Sequence, residues 1–126
     1  MSKPILCLDF DGVVHSYTSR WQGATVIPDD PTDGAIEFML AALHDFDVVI
    51  FSSRSNQKGG TEAMRNWLKR HAGNCWYESP CGPGLEDVRF VTEKPPALVT
   101  LDDRASTFTG TWPKVADLLA FKPWNK

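Results

Sequence analysis

Cysteine is scarce in this chain. Only Cys7, Cys75 and Cys81 occur among 126 residues. An odd number with no close pair argues against a disulfide framework and suits reduced thiols, so a cytoplasmic setting is expected. Their spacing does not fit a zinc knuckle either. Long apolar runs are missing. None nears the ~20 residues of a membrane span, and no membrane partner is expected. The opening "MSKPILCLDF" places one lysine before a short strand-like run, and no signal peptide is read from it. A strong excess of one charge is missing too. The net charge of −3 gives no general attraction to nucleic acid or membrane and leaves room only for a local basic patch. Repeats and low-complexity tracts are absent.

What is present is an ordinary globular composition. Apolar residues make up 42% of the chain, with charges of both signs mixed. The length suits one domain spanning residues 1–126. Three apolar runs, residues 5–8, 48–51 and 98–101, read as strands covered on both faces. Residues 88–93, "VRFVTE", give a weaker strand. In "DGAIEFMLAALHD", Ile36, Met39, Leu40 and Leu43 recur at helical spacing, with Asp33 as the expected cap. In "TEAMRNWLKRHAG", Met64, Trp67, Leu68 and His71 do the same, with Thr61 in front and Gly73 closing the end. A last helix is expected in "WPKVADLLAF". Residues 15–32 and 74–87 read as loops. Strands alternating with helices predict an α/β domain with a parallel sheet and helical crossovers.

In an open parallel sheet, ligands bind beyond the carboxyl ends of the strands. Asp9 follows the first apolar run, Ser52 the second, and Asp102 and Asp103 the third. Polar endings on three buried strands are therefore expected along one edge. Asp9 and Asp11 share a side of an extended backbone, because side-chain direction alternates. Gly12 lets the chain turn at once and lets backbone amides approach a ligand. Crowded carboxylates repel unless a cation sits among them, and an oxygen-only set suits Mg²⁺ with a substrate phosphate. Such a metal would screen a dianionic phosphate from an anionic nucleophile. Ser52 can donate to a phosphate oxygen, and Lys94 can add positive charge.

"LDFDGVV", "VVIFSSR", "EKPPA" and "LDDRA" resemble, in order, the four motifs of the haloacid dehalogenase (HAD) superfamily of phosphohydrolases. The resemblance implies a three-layer Rossmann-like fold and a Mg²⁺-dependent phosphatase. It implies that Asp9 is the nucleophile that becomes an aspartyl-phosphate. It implies that Asp11 is the general acid and then the base, with its backbone carbonyl reaching the metal. Ser52 and Lys94 resemble the phosphate clamp, with Ser53 contributing its backbone amide. Asp102 resembles the metal ligand, and Asp103 a second or water-mediated one. Arg54 and Arg104 either orient substrate or pair with neighbouring aspartates. The gaps where the family inserts a cap domain are short here, so no substantial cap and an open cleft are expected. Such a cleft suits a bulky phosphorylated substrate, such as a 5′- or 3′-phosphorylated nucleic-acid end or a protein. It equally suits a small substrate enclosed by a partner subunit; the oligomeric state is left open.

Competing readings are weaker. An EF-hand also begins D-x-D, but Val13 occupies its next ligand position. A receiver domain needs its aspartate at the end of a middle strand, whereas Asp47 precedes one. A phosphate-binding module without turnover remains an alternative, and Asp11 argues against it. His15, Tyr17, Arg20 and Trp21 lie in the first loop and are expected to contact the leaving group if that loop forms a flap. Trp76, Tyr77 and Cys81 are expected away from the chemistry, in packing or an interface. His71 is given no catalytic task.

Overall fold

The computed structural model describes residues 3–78, 82–97, 99–101, 112 and 115. Four strands form one sheet: β1 (Ile5–Leu8), β2 (Asp47–Ile50), β3 (Arg89–Phe90) and β4 (Val99–Leu101). Two helices, α1 (Ala35–Ala42) and α2 (Gly60–Ala72), carry the chain from β1 to β2 and from β2 to β3. The sheet order is β3-β2-β1-β4, and every pairing is parallel. This is the α/β architecture with a parallel sheet that the alternation of apolar runs predicts. All four strands therefore end at the same edge.

Burial explains why those runs do not alternate. Leu6, Cys7 and Leu8 are consecutive and all buried, as are Val48, Val49 and Ile50. Side chains on both faces of the two central strands are covered, the pattern of a parallel sheet sandwiched by other elements. Phe10, Met39, Met64, Trp67 and Leu68 join them in one continuous core.

The helices differ from expectation in detail. Neither has a side-chain cap. Gly34 (φ 83°) and Gly59 (φ 75°), both left-handed, stand at their starts. Asp33 does not cap α1, because the Thr32 carbonyl already takes the Ala35 N–H in a turn that only the positive φ of Gly34 completes. Thr61 lies inside α2 rather than in front of it. The buried stripe of α1 is Ala35, Phe38, Met39 and Ala42, with Ile36 and Leu40 half-buried beside it. An eight-residue helix reading AIEFMLAA is apolar almost all round, so its period does not fix its phase. Gly73 does end α2, with φ 56°.

β3 is two residues long rather than six. The stretch 74–87 contains two short 3₁₀ turns, Gly73–Trp76 and Leu85–Asp87, rather than plain loop. Residues 91–97 contain no helix, so the described part of the β3-to-β4 crossover is not helical. The expected last helix falls mostly outside the described residues. Val115 is helical there, and Trp112 stacks on Phe38 of α1 with ring centroids 4.6 Å apart. Cys81, Asp102, Asp103 and Arg104 also lie outside the described residues. No helix among the described residues is long and apolar enough to cross a membrane.

Candidate active site at the carboxyl edge of the sheet

Hydrogen bonds continue the sheet beyond the strands and fix where the motif residues stand. The Asp9 N–H donates to the Leu101 carbonyl at the end of β4 (2.9 Å). The Phe51 N–H donates to the Leu8 carbonyl (3.1 Å), and the Val91 N–H to the Ile50 carbonyl (3.1 Å). Asp9 and Ser52 therefore follow neighbouring strand ends on one edge, beside the end of β4 at Leu101. Asp9 Oδ1 accepts the Phe10 N–H at 2.8 Å. Phe10 is fully buried while Asp9 and Asp11 on either side are half-buried. The alternation of a strand thus persists for two residues past β1.

A tight turn follows. The Phe10 carbonyl accepts the N–H groups of Val13, Val14 and His15, and the Gly12 N–H donates to the His15 carbonyl (2.8 Å) with Gly12 at φ 83°. This turn brings His15 back onto Asp11. His15 Nδ1 lies 2.9 Å from Asp11 Oδ1, and the His15 side chain is 0% exposed. The first loop is therefore not made wholly of substrate-facing residues. His15, expected to touch the leaving group, is inside the protein. Its ring stacks on Phe10 and meets Trp67 edge-on.

Arg54 reaches the same carboxylate from the end of β2. Its Nε donates to Asp11 Oδ1 (3.1 Å) and Oδ2 (3.0 Å). Its Nη1 donates to the carbonyls of Gly23, Ala24 and Val26 at 2.8, 3.0 and 3.1 Å. The guanidinium lies under Trp21, with 4.8 Å from Cζ to the ring centroid. Arg54 is itself fully buried. Of the two roles open to it, the structure displays pairing with a neighbouring aspartate. Sequence could not supply the rest: one cation ties three loop carbonyls, one of which also accepts the Val26 N–H, to the end of β2. Burial pushes the Asp11 carboxyl upward, but hydrogen bonds from His15 and Arg54, with the Arg54 charge, outweigh it. Its pKa falls below the ordinary 3.8.

The loop over this pair is pinned at its base and flank. The Ser16 N–H donates to the Asp30 carbonyl and the Thr32 N–H to the Val14 carbonyl. The Thr32 hydroxyl donates to the Val13 carbonyl (2.7 Å), and Trp67 Nε1 to the Asp29 carbonyl (3.0 Å). Asp29 accepts from the Ser19 N–H and hydroxyl, which hold its carboxyl below the ordinary range. Tyr17 (φ 62°) and Arg20 (φ 65°) take the left-handed backbone that such a compact loop imposes. Trp21 remains 46% exposed on top.

Ser52 is buried in the turn that leads to α2. Its Oγ accepts the Arg54 N–H (3.2 Å), and its own N–H donates to Ser55 Oγ (3.1 Å). A hydroxyl that accepts one bond keeps its proton to donate. Ser53 is exposed. Lys94 is exposed on the segment after β3, and among the described residues it forms no ion pair with the aspartates. Trp76 is buried beneath Arg65, whose Cζ lies 4.8 Å from its ring centroid, and Tyr77 is exposed. Trp76 ends the 3₁₀ turn that follows α2, and Tyr77 comes directly after it. Burial and neighbouring Arg70 push His71 below its ordinary value.

Among the described residues no three acidic, histidine or cysteine side chains form a ready metal cluster. Of the four expected ligands, Asp102 and Asp103 lie outside those residues. Asp9 is half-buried at the strand end, and the Asp11 carboxylate is taken by His15 and Arg54. A role for Asp11 through its backbone carbonyl is consistent with that engagement. No protein-family model, curated protein or solved structure matches this chain.

Proposed function

We propose that this chain is a Mg²⁺-dependent phosphatase of the HAD type, with its three-layer Rossmann-like domain and no cap. It hydrolyses a phosphate monoester through an aspartyl-phosphate on Asp9. The observation that supports this reading most is the N–H of Asp9 bound to Leu101 (2.9 Å), with Asp11 held two residues on by buried donors. Asp9, Asp102 and Asp103, with the Asp11 carbonyl, form the hard oxygen set that would hold Mg²⁺. When bound, that ion supplies charge that screens phosphate from carboxylate.

The steps of the chain's own residues follow. A carboxylate oxygen of Asp9 attacks phosphorus, and the bond from phosphorus to the leaving oxygen breaks. Asp11, ionised at rest, takes the proton of the monoanionic ester as it binds and gives it to that leaving oxygen. Water then attacks the aspartyl-phosphate at phosphorus, its proton passes to Asp11 and from there to the inorganic phosphate that leaves. The Ser52 hydroxyl and the Ser53 amide donate to the phosphate oxygens, and Lys94 adds positive charge. Arg54 holds Asp11 and the loop from inside.

The test is turnover of an aryl phosphate with Mg²⁺, with chelator, and by Asp9→Asn. Metal-dependent turnover that Asp9→Asn lowers at least about 10³-fold is expected. Undiminished turnover in Asp9→Asn, or none in the wild type, overturns the reading. Tight trapping of beryllofluoride without hydrolysis would instead indicate a phosphate-binding module.

A second reading narrows the substrate to a phosphorylated nucleic-acid end. It is favoured by Trp21, half exposed over the Arg54 guanidinium, with Arg20 and Lys58 exposed. Aromatic faces stack bases of any sequence. Faster cleavage of an oligonucleotide phosphate than of free nucleotides supports it, and the reverse order removes it.

A further inference from the structure

The Asp11 carboxylate has two donors of different kinds. Arg54 Nε sits 3.1 Å from Oδ1 and 3.0 Å from Oδ2, so it does not distinguish the two oxygens. His15 Nδ1 does, because it contacts Oδ1 at 2.9 Å.

The direction of that bond follows from the far side of the ring. The Asp29 N–H donates to His15 Nε2 at 3.2 Å. Nε2 therefore presents its lone pair, and in the neutral ring the hydrogen resides on Nδ1. Nδ1–H donates to Asp11 Oδ1. The imidazole has little freedom. It stacks on Phe10 (5.5 Å between centroids) and meets Trp67 (5.6 Å) and Tyr17 (6.0 Å) edge-on. The Asp29 carboxylate lies 3.6 Å from Nε2, and Asp29 is bound to Ser19 further along the loop.

We propose that His15 is the positioning residue that fixes which oxygen of Asp11 carries the transferred proton. The inference rests on the phosphatase reading. With two donors on Oδ1 and one on Oδ2, lone-pair capacity remains chiefly on Oδ2. Oδ2 is then the oxygen that protonates the departing oxygen and later takes the proton of the attacking water. Without His15, the carboxylate pivots about a single nitrogen, and the acid loses its orientation.

Leaving groups of different basicity expose such a loss. A nitrophenolate departs without a proton, whereas an alkoxide needs one. Wild type, His15→Phe, His15→Gln, His15→Asn and Asp9→Asn are compared on p-nitrophenyl phosphate and on a simple alkyl phosphate, with Mg²⁺. Asparagine can place an N–H near the Nδ1 position, while glutamine carries it one bond further out. His15→Phe is expected to lower kcat on the alkyl phosphate about 10²-fold, the usual worth of general acid catalysis. The loss on the aryl phosphate is expected to be at least tenfold smaller, with KM for both changed little. His15→Asn recovers much of the alkyl activity, and His15→Gln recovers less. Equal losses on both substrates, or none on either, overturn the inference and leave the phosphatase reading standing. Undiminished turnover in Asp9→Asn, or none in the wild type, overturns that reading and the inference with it. If His15→Phe fails to fold, the contrast between His15→Asn and His15→Gln decides.

Discussion

Arg54 Nε lies 3.0 Å from Asp11 Oδ2 and 3.1 Å from Oδ1, so one buried nitrogen straddles a carboxylate 43 residues away in sequence. The same guanidinium satisfies three carbonyls of the loop between Gly23 and Val26. Its position joins the end of β2, the second motif aspartate and the loop that follows β1 into one unit.

Removing that buried cation leaves a half-buried carboxylate and three carbonyls without it. Arg54→Ala is expected to lower unfolding free energy by about 3–5 kcal/mol, the usual cost of breaking a buried ion pair from one side. Arg54→Lys restores little, because an ammonium cannot reach the aspartate and the loop from one planar group. Urea unfolding measures both. A loss under about 1 kcal/mol in Arg54→Ala would show that the network contributes little.

Asp11 also makes stability depend on pH. Burial raises the proton affinity of its carboxyl, but donors on His15 and Arg54 lower it further, so its folded pKa lies below its unfolded one. Its contribution is fully present above the unfolded value and is lost as pH falls through the folded value. The stability gap between wild type and Asp11→Asn is therefore largest near neutral pH and shrinks below about pH 4. Urea midpoints taken from pH 7 downward read this. A gap that widens on acidification would contradict the assignment.

Gly60 has no room for a side chain. A Cβ there would sit 1.7 Å from the Arg54 carbonyl oxygen, and that obstacle is backbone. Gly73 meets nothing within 4 Å, although its φ of 56° disfavours other residues. Gly60→Ala is expected to destabilise by about 3 kcal/mol, at the upper end for overpacking. Gly73→Ala is expected to cost about 1 kcal/mol. Thermal midpoints in the reverse order would mean that the turn at 52–59 yields easily.

Ser52 separates binding from folding. Ser52→Ala removes an acceptor for the Arg54 N–H and is expected to cost about 1 kcal/mol of stability. If its hydroxyl also holds the phosphate, kcat/KM falls about 10²-fold. A variant of wild-type activity would take Ser52 out of the clamp and leave it as a turn residue.

The strands and their polar ends were readable without coordinates. Runs such as ILCL and VVIF are apolar on consecutive residues, as two-sided burial requires, and polarity changes abruptly at Asp9 and Ser52. Those are one-dimensional signals. The phase of α1 was not readable, because its short sequence is apolar on every side, and neither helix start was, because a left-handed glycine replaces the side-chain cap. The inward turn of His15 and the burial of Arg54 were hidden for a different reason. Histidine and arginine in a polar loop look like surface residues until the chain folds back on itself. Local pattern determined the sheet and which residues end its strands. Only the tertiary structure decided which polar groups face one another, because hydrogen-bond partners such as Asp11 and Arg54 are set by where separate strand ends meet, and no local sequence pattern encodes that distance.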